Sequence, residues 1–255
     1  MRILWPTPSE GDDDDVDPVA VVAAEARPSP PERPWVLANM IASADGSATD
    51  AGGRSGGLGG PADKAVFGAV RAVADVVVAG SATVITEDYG PSRPPARVRD
   101  QRVARGQAPA PRIAVTSASL AIEPTRRLFA EASPDARPLV LTVAAADPAR
   151  RRALEAVADV HVVGDEQVDW ARAFALLHAE LEAGVVLCEG GPSTIGQLVA
   201  DDLLDELCVT IAPVLVAGDG PRIAHRAAPV PDRGLSLARI LAADDHLFVR
   251  YLRAR

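Results

Sequence analysis

The sequence predicts an α/β protein with a mainly parallel central sheet, helices on both faces of that sheet, and an antiparallel edge at its C-terminal end. Short apolar runs of strand length alternate with stretches of helical spacing as far as residue 213. Strands that alternate with helices pair in parallel, and such sheets are covered on both faces. The last two apolar runs, residues 235–241 and 246–252, are joined by a short connection, which predicts an antiparallel pair.

The individual elements follow from the same patterns. The first strand of the body is continuous and apolar except for Asn39, and the first long helix begins with Pro61 and an acidic first turn. Strands before the closing pair are predicted at residues 35–41, 76–79, 113–116, 139–143, 159–163, 185–188 and 203–213. Helices are predicted at residues 61–74, 126–131, 148–157, 170–183 and 194–202.

Two regions of the chain are predicted from composition. Residues 1–33 contain an acidic run at 12–15 and several prolines, so we expect an N-terminal arm with a short helix near 19–25 and no visible chemistry. Residues 34–255 contain no repeat and no linker, so we expect them to form one body domain.

Composition and charge exclude several classes of protein. A chain of 255 residues with 48% hydrophobic residues can bury a full core, and its apolar runs are shorter than the roughly 18 residues of a membrane span. The start of the chain lacks a secretory signal pattern, so we expect a cytoplasmic protein that does not act at a membrane. A net charge of −9 argues against nucleic-acid binding. Cys188 and Cys208 lie in apolar runs as expected for reduced core residues, and the histidines have no metal-binding spacing.

Two junctions between a strand and a helix are suited to holding a phosphate. The run at 185–188 leads through Glu189, Gly190 and Gly191 into a helical stretch, and glycines let an anion approach the main-chain N–H groups at a helix start. The strand at 76–79 leads into Gly80 and Thr83 in the same way. An ordinary tight turn is the alternative for each junction.

Two further segments have no regular pattern. Six glycines occur among residues 52–60, which predicts either a mobile lid over a site or a flexible connector. Residues 87–112 are rich in arginine and proline, and we expect most of those arginines to lie on a solvated surface.

Five motifs, in order, resemble a known family. They are residues 39–46 (NMIASADG), 71–83 (RAVADVVVAGSAT), 87–88 (ED), 189–192 (EGGP) and 204–207 (LDEL) with the following 212–213 (AP). With them the chain resembles the reductase domain of the bacterial riboflavin-biosynthesis deaminase–reductase, a family of dihydrofolate-reductase-like fold that uses NADPH.

The resemblance implies a reaction and a set of site residues. The reaction is hydride transfer from NADPH to the sugar carbon of a ribosylamino-pyrimidine phosphate, of the 5-amino-6-(5-phosphoribosylamino)uracil type. The carboxylates implied at the reaction site are Asp88 and Glu189, and the implied substrate contacts are Asn39, Ser55, Arg71 and Arg93. The implied NADPH contacts are Gly80, Thr83, Ser117, Gly190, Gly191, Ser193 and Thr194. The family also implies a homodimer, for which the apolar closing strands would be suited.

The chain departs from the family pattern in two respects. Asn39 stands where the family has lysine, which replaces a charge by a neutral hydrogen-bonding group. The deaminase signature, H-x-E followed by P-C-x-x-C, does not occur, so we expect a stand-alone reductase. Two alternatives therefore stay open: the same fold and cofactor with a pterin, dihydrofolate-like or other heterocyclic substrate, and a non-catalytic NADPH-binding protein.

Overall fold

The fold is described from a computed structural model, which describes residues 1–6 and 15–254. Most of the acidic run at residues 12–15, part of the predicted N-terminal arm, lies outside the described residues. The chain forms two compact units. Unit 1 consists of Met1–Arg27, Val36–Val73 and Pro192–Arg255, and unit 2 consists of Pro28–Trp35 and Ala74–Gly191.

The described residues contain ten strands and eight α-helices, with short 3-10 turns at Ser55–Gly57 and Pro134–Ala136. In chain order the elements are β1 (Arg2–Trp5), α1 (Pro18–Ala24), β2 (Trp35–Ser43), α2 (Pro61–Arg71), β3 (Val76–Gly80), α3 (Ser81–Thr86), α4 (Ala96–Ala104), β4 (Arg112–Thr116), α5 (Arg127–Ala130), β5 (Leu139–Thr142), α6 (Pro148–Glu155), β6 (Asp159–Val162), α7 (Trp170–Leu181), β7 (Val185–Cys188), α8 (Pro192–Ala200), β8 (Glu206–Ala212), β9 (Leu235–Ala243) and β10 (His246–Arg253).

The strands of unit 2 lie in the order β7-β3-β4-β5-β6 and all pair in parallel. They are short and mostly apolar because a parallel strand with helices on both faces has no solvent side. Val77, Val78 and Ala79 of β3 are fully buried, for example. This sheet confirms the prediction of a mainly parallel α/β protein.

The strands of unit 1 lie in the order β1-β9-β10-β8-β2. The closing pair β9 and β10 is antiparallel, as predicted, and β10 pairs antiparallel with β8, whereas β8 and β2 are parallel. The N-terminal strand β1 pairs with the outer side of β9, so the closing pair lies one strand further in than the sequence suggested. Along β8, Glu206, Cys208 and Thr210 are buried and alternate with half-buried apolar residues.

A cluster of charged side chains is buried in unit 1. Glu206 is fully buried and accepts hydrogen bonds from Arg27 Nη2 (2.8 Å) and from Arg250 Nε and Nη2 (2.8 and 3.0 Å). Glu25 forms ion pairs with Arg27 (2.8 Å) and Arg239 (2.9 Å). Because Glu25 and Arg27 directly follow α1, the N-terminal segment contributes two members of this cluster.

The arginine-rich segment departs from its prediction at Arg102. Residues 96–104 form α4, and the Arg102 side chain is fully buried, where its Nη1 donates to the Ala74 carbonyl (2.7 Å) and its Nε donates to the Ala108 carbonyl (2.8 Å). Burial lowers the pKa of Arg102 to about 10. Two backbone carbonyls, one of them 28 residues away in the chain, accept hydrogen bonds from Arg102 in place of solvent, and no sequence pattern indicates them.

The cysteine prediction is confirmed. Cys188 and Cys208 are buried free thiols, and burial raises the pKa of Cys188 to about 12. A thiol with so high a pKa is an inert core residue at neutral pH.

Candidate active site

The predicted cofactor residues of unit 2 gather at one edge of its sheet. The carboxyl ends of parallel strands lie at the same edge, and Gly80 of β3 is in register with Thr116 of β4, the residue before Ser117. On the other side of β3, Val78 is in register with Cys188 of β7, the residue before Glu189. This edge is where open α/β sheets bind ligands.

A hydrogen bond joins the two phosphate-type junctions. The Gly191 N–H donates to Thr83 Oγ1 at 3.2 Å. Gly191 therefore lies beside the first turns of α3, and the chain continues directly from it into α8. The sequence predicted two separate junctions, and the structure brings them into contact within unit 2.

Glu189 is the charged group at this edge. It is buried, its N–H donates to the Val78 carbonyl (2.9 Å), and the Tyr89 hydroxyl donates to its Oε2 (2.8 Å). The backbone and side-chain bonds together fix the position of the carboxylate beside Gly190. Tyr89 was not among the residues predicted for the site, since its one signal in the sequence is an aromatic hydroxyl directly after Asp88.

Ser117 is held firmly at the end of β4. Its hydroxyl accepts a hydrogen bond from the Leu120 N–H (3.0 Å), and its carbonyl accepts one from Thr142 Oγ1 (2.7 Å). Ser117 therefore shapes the turn after β4 and lies on the predicted edge.

Asp88 and Arg93 lie in a surface ion-pair network. Asp88 is 56% exposed on its side chain and pairs with Arg127 (3.1 Å), while Arg93 pairs with Glu131 (3.1 Å). Arg127 also pairs with Glu131 (3.1 Å), and hydrogen bonds from its guanidinium to both carboxylates raise the pKa of Arg127. Asp88 is next in the chain to Tyr89, whose hydroxyl donates to Glu189 at the edge of the sheet.

The remaining predicted residues belong to unit 1. Asn39 is half-buried on β2, in register with Cys208 of β8. Ser55 begins a 3-10 turn, and Arg71 ends α2 with its guanidinium carbon 4.4 Å from the centre of the Phe67 ring. Ser193, exposed, and Thr194, half-buried, lie in the first turn of α8.

Two loops of unit 1 are fastened to each other by Asp45. The loops leave the carboxyl ends of the parallel strands β2 and β8, where Ser43 is in register with Ala212. Asp45 accepts hydrogen bonds from the Val216 N–H (3.2 Å) and the Ala217 N–H (2.8 Å). A hydrogen bond from the Ser43 hydroxyl, followed by those from Ala217 and Val216, lowers the pKa of Asp45 to about 2.

Asp45 is expected to make the stability of the protein depend on pH in acid. Because the folded-state pKa of Asp45 is depressed, its contribution is fully present above its ordinary pKa of 3.8 and is lost as the pH falls through about 2. We expect the difference in melting temperature between the wild type and Asp45→Asn to be constant above pH 4 or so and to shrink below it. A difference that stays the same across this range would contradict the role assigned to the carboxylate.

The polar groups of unit 2 at this edge are of the kinds that contact a nucleotide. The backbone of a glycine junction and the hydroxyl groups of Thr83 and Ser117 suit phosphates and ribose, and one buried carboxylate suits a ribose hydroxyl. The fold and this edge define an α/β protein of the class that binds ligands at the carboxyl ends of parallel strands.

The particular family follows from comparison with known proteins. The family model described as the RibD C-terminal domain matches residues 34–245, and the chain belongs to that family. It is similar to the 2,5-diamino-6-ribosylamino-4(3H)-pyrimidinone 5′-phosphate reductase of Archaeoglobus fulgidus, with 28% identity over 194 residues, 75% of this chain and 86% of that protein.

Solved structures of reductases resemble this chain in fold. A pyrimidine reductase-like protein from Corynebacterium diphtheriae matches with a TM-score of 0.84 and 28% identity, covering 94% of this chain and 100% of that one. The riboflavin biosynthesis reductase of Saccharomyces cerevisiae matches with a TM-score of 0.68 and 18% identity, covering 91% and 94% of the two chains. With the sheets described above, these likenesses confirm the predicted α/β fold with a mainly parallel sheet and an antiparallel edge.

Proposed function

We propose that this protein is an NADPH-dependent reductase that transfers a hydride to the sugar carbon of a ribosylamino-pyrimidine 5′-phosphate, of the 5-amino-6-(5-phosphoribosylamino)uracil type. Membership of the RibD C-terminal domain family and the name of the Archaeoglobus relative support the reaction class. The structural observation that carries the proposal is the joined pair of junctions, Thr83 with Gly191, beside the buried Glu189.

The reaction balances with one hydride and one proton. The hydride, which NADPH supplies when bound, forms a C–H bond at C1′ of the ribose while the C1′–O4′ ring bond breaks, and a proton completes the new hydroxyl group. The protein contributes binding, orientation and electrostatics. We assign the phosphate groups of NADPH to Gly190, Gly191, Ser193 and Thr194, and its ribose hydroxyls to the side of Thr83 and Ser117.

On the substrate side we assign the reaction-site carboxylates to Glu189 and Asp88. Asn39, Ser55, Arg71 and Arg93 keep their assignment as substrate contacts. The pterin or other heterocyclic alternative is motivated by Asn39, which is neutral at a position that carries a charge in the family. A screen of pyrimidines and pterins for accelerated NADPH oxidation separates these substrates.

Three wider proposals concern the whole chain. We propose that residues 34–255 form the reductase domain, with residues 1–33 as an N-terminal arm, and that the protein acts in the cytoplasm. We also propose a homodimer, supported by exposed apolar side chains on the closing strands at Leu235, Leu237 and Leu247. Sedimentation of the full chain tests the dimer.

Among residues 1–6 and 15–254, each helix is too short or too polar to cross a membrane.

Cofactor binding tests the joined junctions directly. Replacing Thr83 by valine keeps the shape of the side chain and removes the hydroxyl that holds Gly191. One hydrogen bond is worth about 0.5–1.5 kcal/mol, so we expect the Kd for NADPH, measured by fluorescence titration, to rise by a factor of about 3 to 10.

The matched control is Thr86→Val, which removes an exposed hydroxyl from the same helix. This variant should bind NADPH as the wild type does, and a parallel titration with NADH measures cofactor preference. Equal affinity of Thr83→Val and the wild type would mean that the two junctions are ordinary turns.

A further inference from the structure

The glycine-rich loop of unit 1 is organised by one carboxylate. Asp50 Oδ1 accepts hydrogen bonds from the Gly52 N–H (2.8 Å) and the Arg54 N–H (2.9 Å). The main chain closes the same turn, since the Asp50 N–H donates to the Arg54 carbonyl (2.9 Å) and the Gly53 N–H donates to the Asp50 carbonyl (3.0 Å). The loop predicted as a mobile lid or a flexible connector therefore has a defined shape.

The same carboxylate lies against the far side of the loop. A Cβ atom at Gly57 would lie 1.8 Å from Asp50 Oδ2, so position 57 has room only for a glycine while Asp50 stays in place. The backbone at Gly57 is not in the left-handed region, so it is space and not conformation that requires the glycine. Asp50 thus contacts the loop on both sides of Ser55, which begins the 3-10 turn at Ser55–Gly57.

The C-terminal end of the loop is anchored to the body of unit 1. Leu58 is buried, and its carbonyl lies 3.3 Å from His246 Nε2. Asp63, in the first turn of α2, accepts a hydrogen bond from Thr210 Oγ1 (2.8 Å). With this end fixed, the orientation of Ser55 depends on the turn that Asp50 holds.

We propose that Asp50 is a positioning residue for the substrate: it holds the loop in the shape that presents Ser55 to the phosphoribosyl-pyrimidine. This inference rests on the proposed function, in which Ser55 contacts the substrate. Six glycines among residues 52–60 give the loop many alternative backbone conformations once the carboxylate is removed. Binding would then have to select the productive one, which weakens substrate affinity without altering the chemical step.

Steady-state kinetics of two Asp50 variants test this role. With 2,5-diamino-6-ribosylamino-4(3H)-pyrimidinone 5′-phosphate as the variable substrate, Asp50→Ala should raise KM by a factor of about 10 or more, with kcat and the KM for NADPH within about twofold of the wild type. Asp50→Asn keeps an acceptor oxygen at the position of Oδ1 and should restore most of the substrate affinity.

The matched control is Asp147→Ala. Asp147 Oδ1 also accepts two backbone N–H groups, from Ala149 (2.8 Å) and Arg150 (2.9 Å), but it caps α6 in unit 2. Both alanine variants lose an Asx-type turn, so they should lose similar stability, and only Asp50→Ala should change the KM for the pyrimidine.

A double-mutant cycle links the two sides of the loop. Gly57→Ala displaces the Asp50 carboxylate and should raise the same KM in the wild-type background. It should add little in the Asp50→Ala background, because the carboxylate atoms at 1.8 and 2.7 Å are then absent and only the Cβ atom of residue 50, at 3.1 Å, remains close. Fully additive effects would overturn the inference.

Trypsin cleavage after Arg54 gives a readout that does not need activity. Arg54 is exposed, and the turn that Asp50 holds should protect its peptide bond, so Asp50→Ala should be cut faster there than the wild type or Asp147→Ala. An active wild type with an unchanged KM in Asp50→Ala overturns this inference alone. A wild type that binds NADPH and does not reduce the pyrimidine overturns the proposed function, and this inference with it.

Discussion

Replacing Glu206 by alanine is expected to lower the free energy of unfolding by about 3–5 kcal/mol, because removing one partner of a buried ion pair leaves the others uncompensated. Glu206 is fully buried and accepts hydrogen bonds from Arg27 and Arg250. Without it, among the described residues, the buried side chains of Arg27, Arg239 and Arg250 keep Glu25 as their carboxylate partner. Urea unfolding followed by circular dichroism measures the effect.

The matched control is Glu131→Ala. Glu131 also pairs with two arginines, Arg93 and Arg127 at 3.1 Å each, but on the surface of unit 2. Exposed pairs contribute about 0–1 kcal/mol, so this variant should unfold close to the wild type. Equal losses in the two variants would show that burial does not determine the strength of the Glu206 cluster.

The Glu206 cluster also has a pH signature. Burial by itself would raise the pKa of Glu206, but hydrogen bonds from Arg250 and the charge of Arg27 lower it below its ordinary value of 4.5. The contribution of the carboxylate is therefore complete above 4.5 and declines as the pH falls through the lowered pKa. The difference in the free energy of unfolding between the wild type and Glu206→Gln should decline as the pH falls below 4.5.

Replacing Glu189 by glutamine is expected to lower kcat/KM for the pyrimidine by a factor of about 100. Glutamine removes the charge and the proton-transfer capacity of the carboxylate that we assign to the reaction site, and a positioned proton-transfer group contributes at least that factor. The substitution keeps the size of the side chain and an acceptor for the Tyr89 hydroxyl, so the edge of the sheet should remain folded. Initial rates of NADPH oxidation measure the loss, and NADPH titration separates it from weaker cofactor binding.

Tyr89→Phe is the control for Glu189. It removes the hydroxyl that donates to Glu189 and leaves the carboxylate in place, so it should cost about tenfold or less. If Tyr89→Phe costs as much as Glu189→Gln, the tyrosine and not the carboxylate carries the chemistry, and our assignment of Glu189 is wrong.

Much of the fold could be predicted because its strands are buried on both faces. A continuous apolar run such as Val76–Ala79 between two helical stretches leaves little choice, and β3, β4, β5 and β7 appear where the pattern placed them. The pattern failed where pairing is not local. Strand β1 is a short segment of the predicted arm that is stabilised by pairing with β9, and α4 lies in a stretch where prolines and arginines obscured the helix.

The candidate site likewise has local features that the sequence predicts and contacts between distant residues that it does not. Strand-to-glycine junctions are local, so Gly80 and the pair Gly190 and Gly191 could be found from sequence. The contact of Gly191 with Thr83 and the hydrogen bond from Tyr89 to Glu189 join residues about a hundred positions apart, and only the strand order brings them together. The ion pairs of Arg27 with Glu206 and of Glu25 with Arg239 also join residues that are distant in the sequence, so no local pattern predicts them.

The most direct test of the proposed function is a reaction between the purified full chain, NADPH and 2,5-diamino-6-ribosylamino-4(3H)-pyrimidinone 5′-phosphate, with 5-amino-6-(5-phosphoribosylamino)uracil in a parallel sample. Nicotinamide absorbance and the mass of the pyrimidine are followed together. We predict loss of NADPH matched mole for mole by a ribityl product that has gained two hydrogen atoms. NADPH that binds and is not oxidised with either pyrimidine would contradict the proposed function and leave a nucleotide-binding protein.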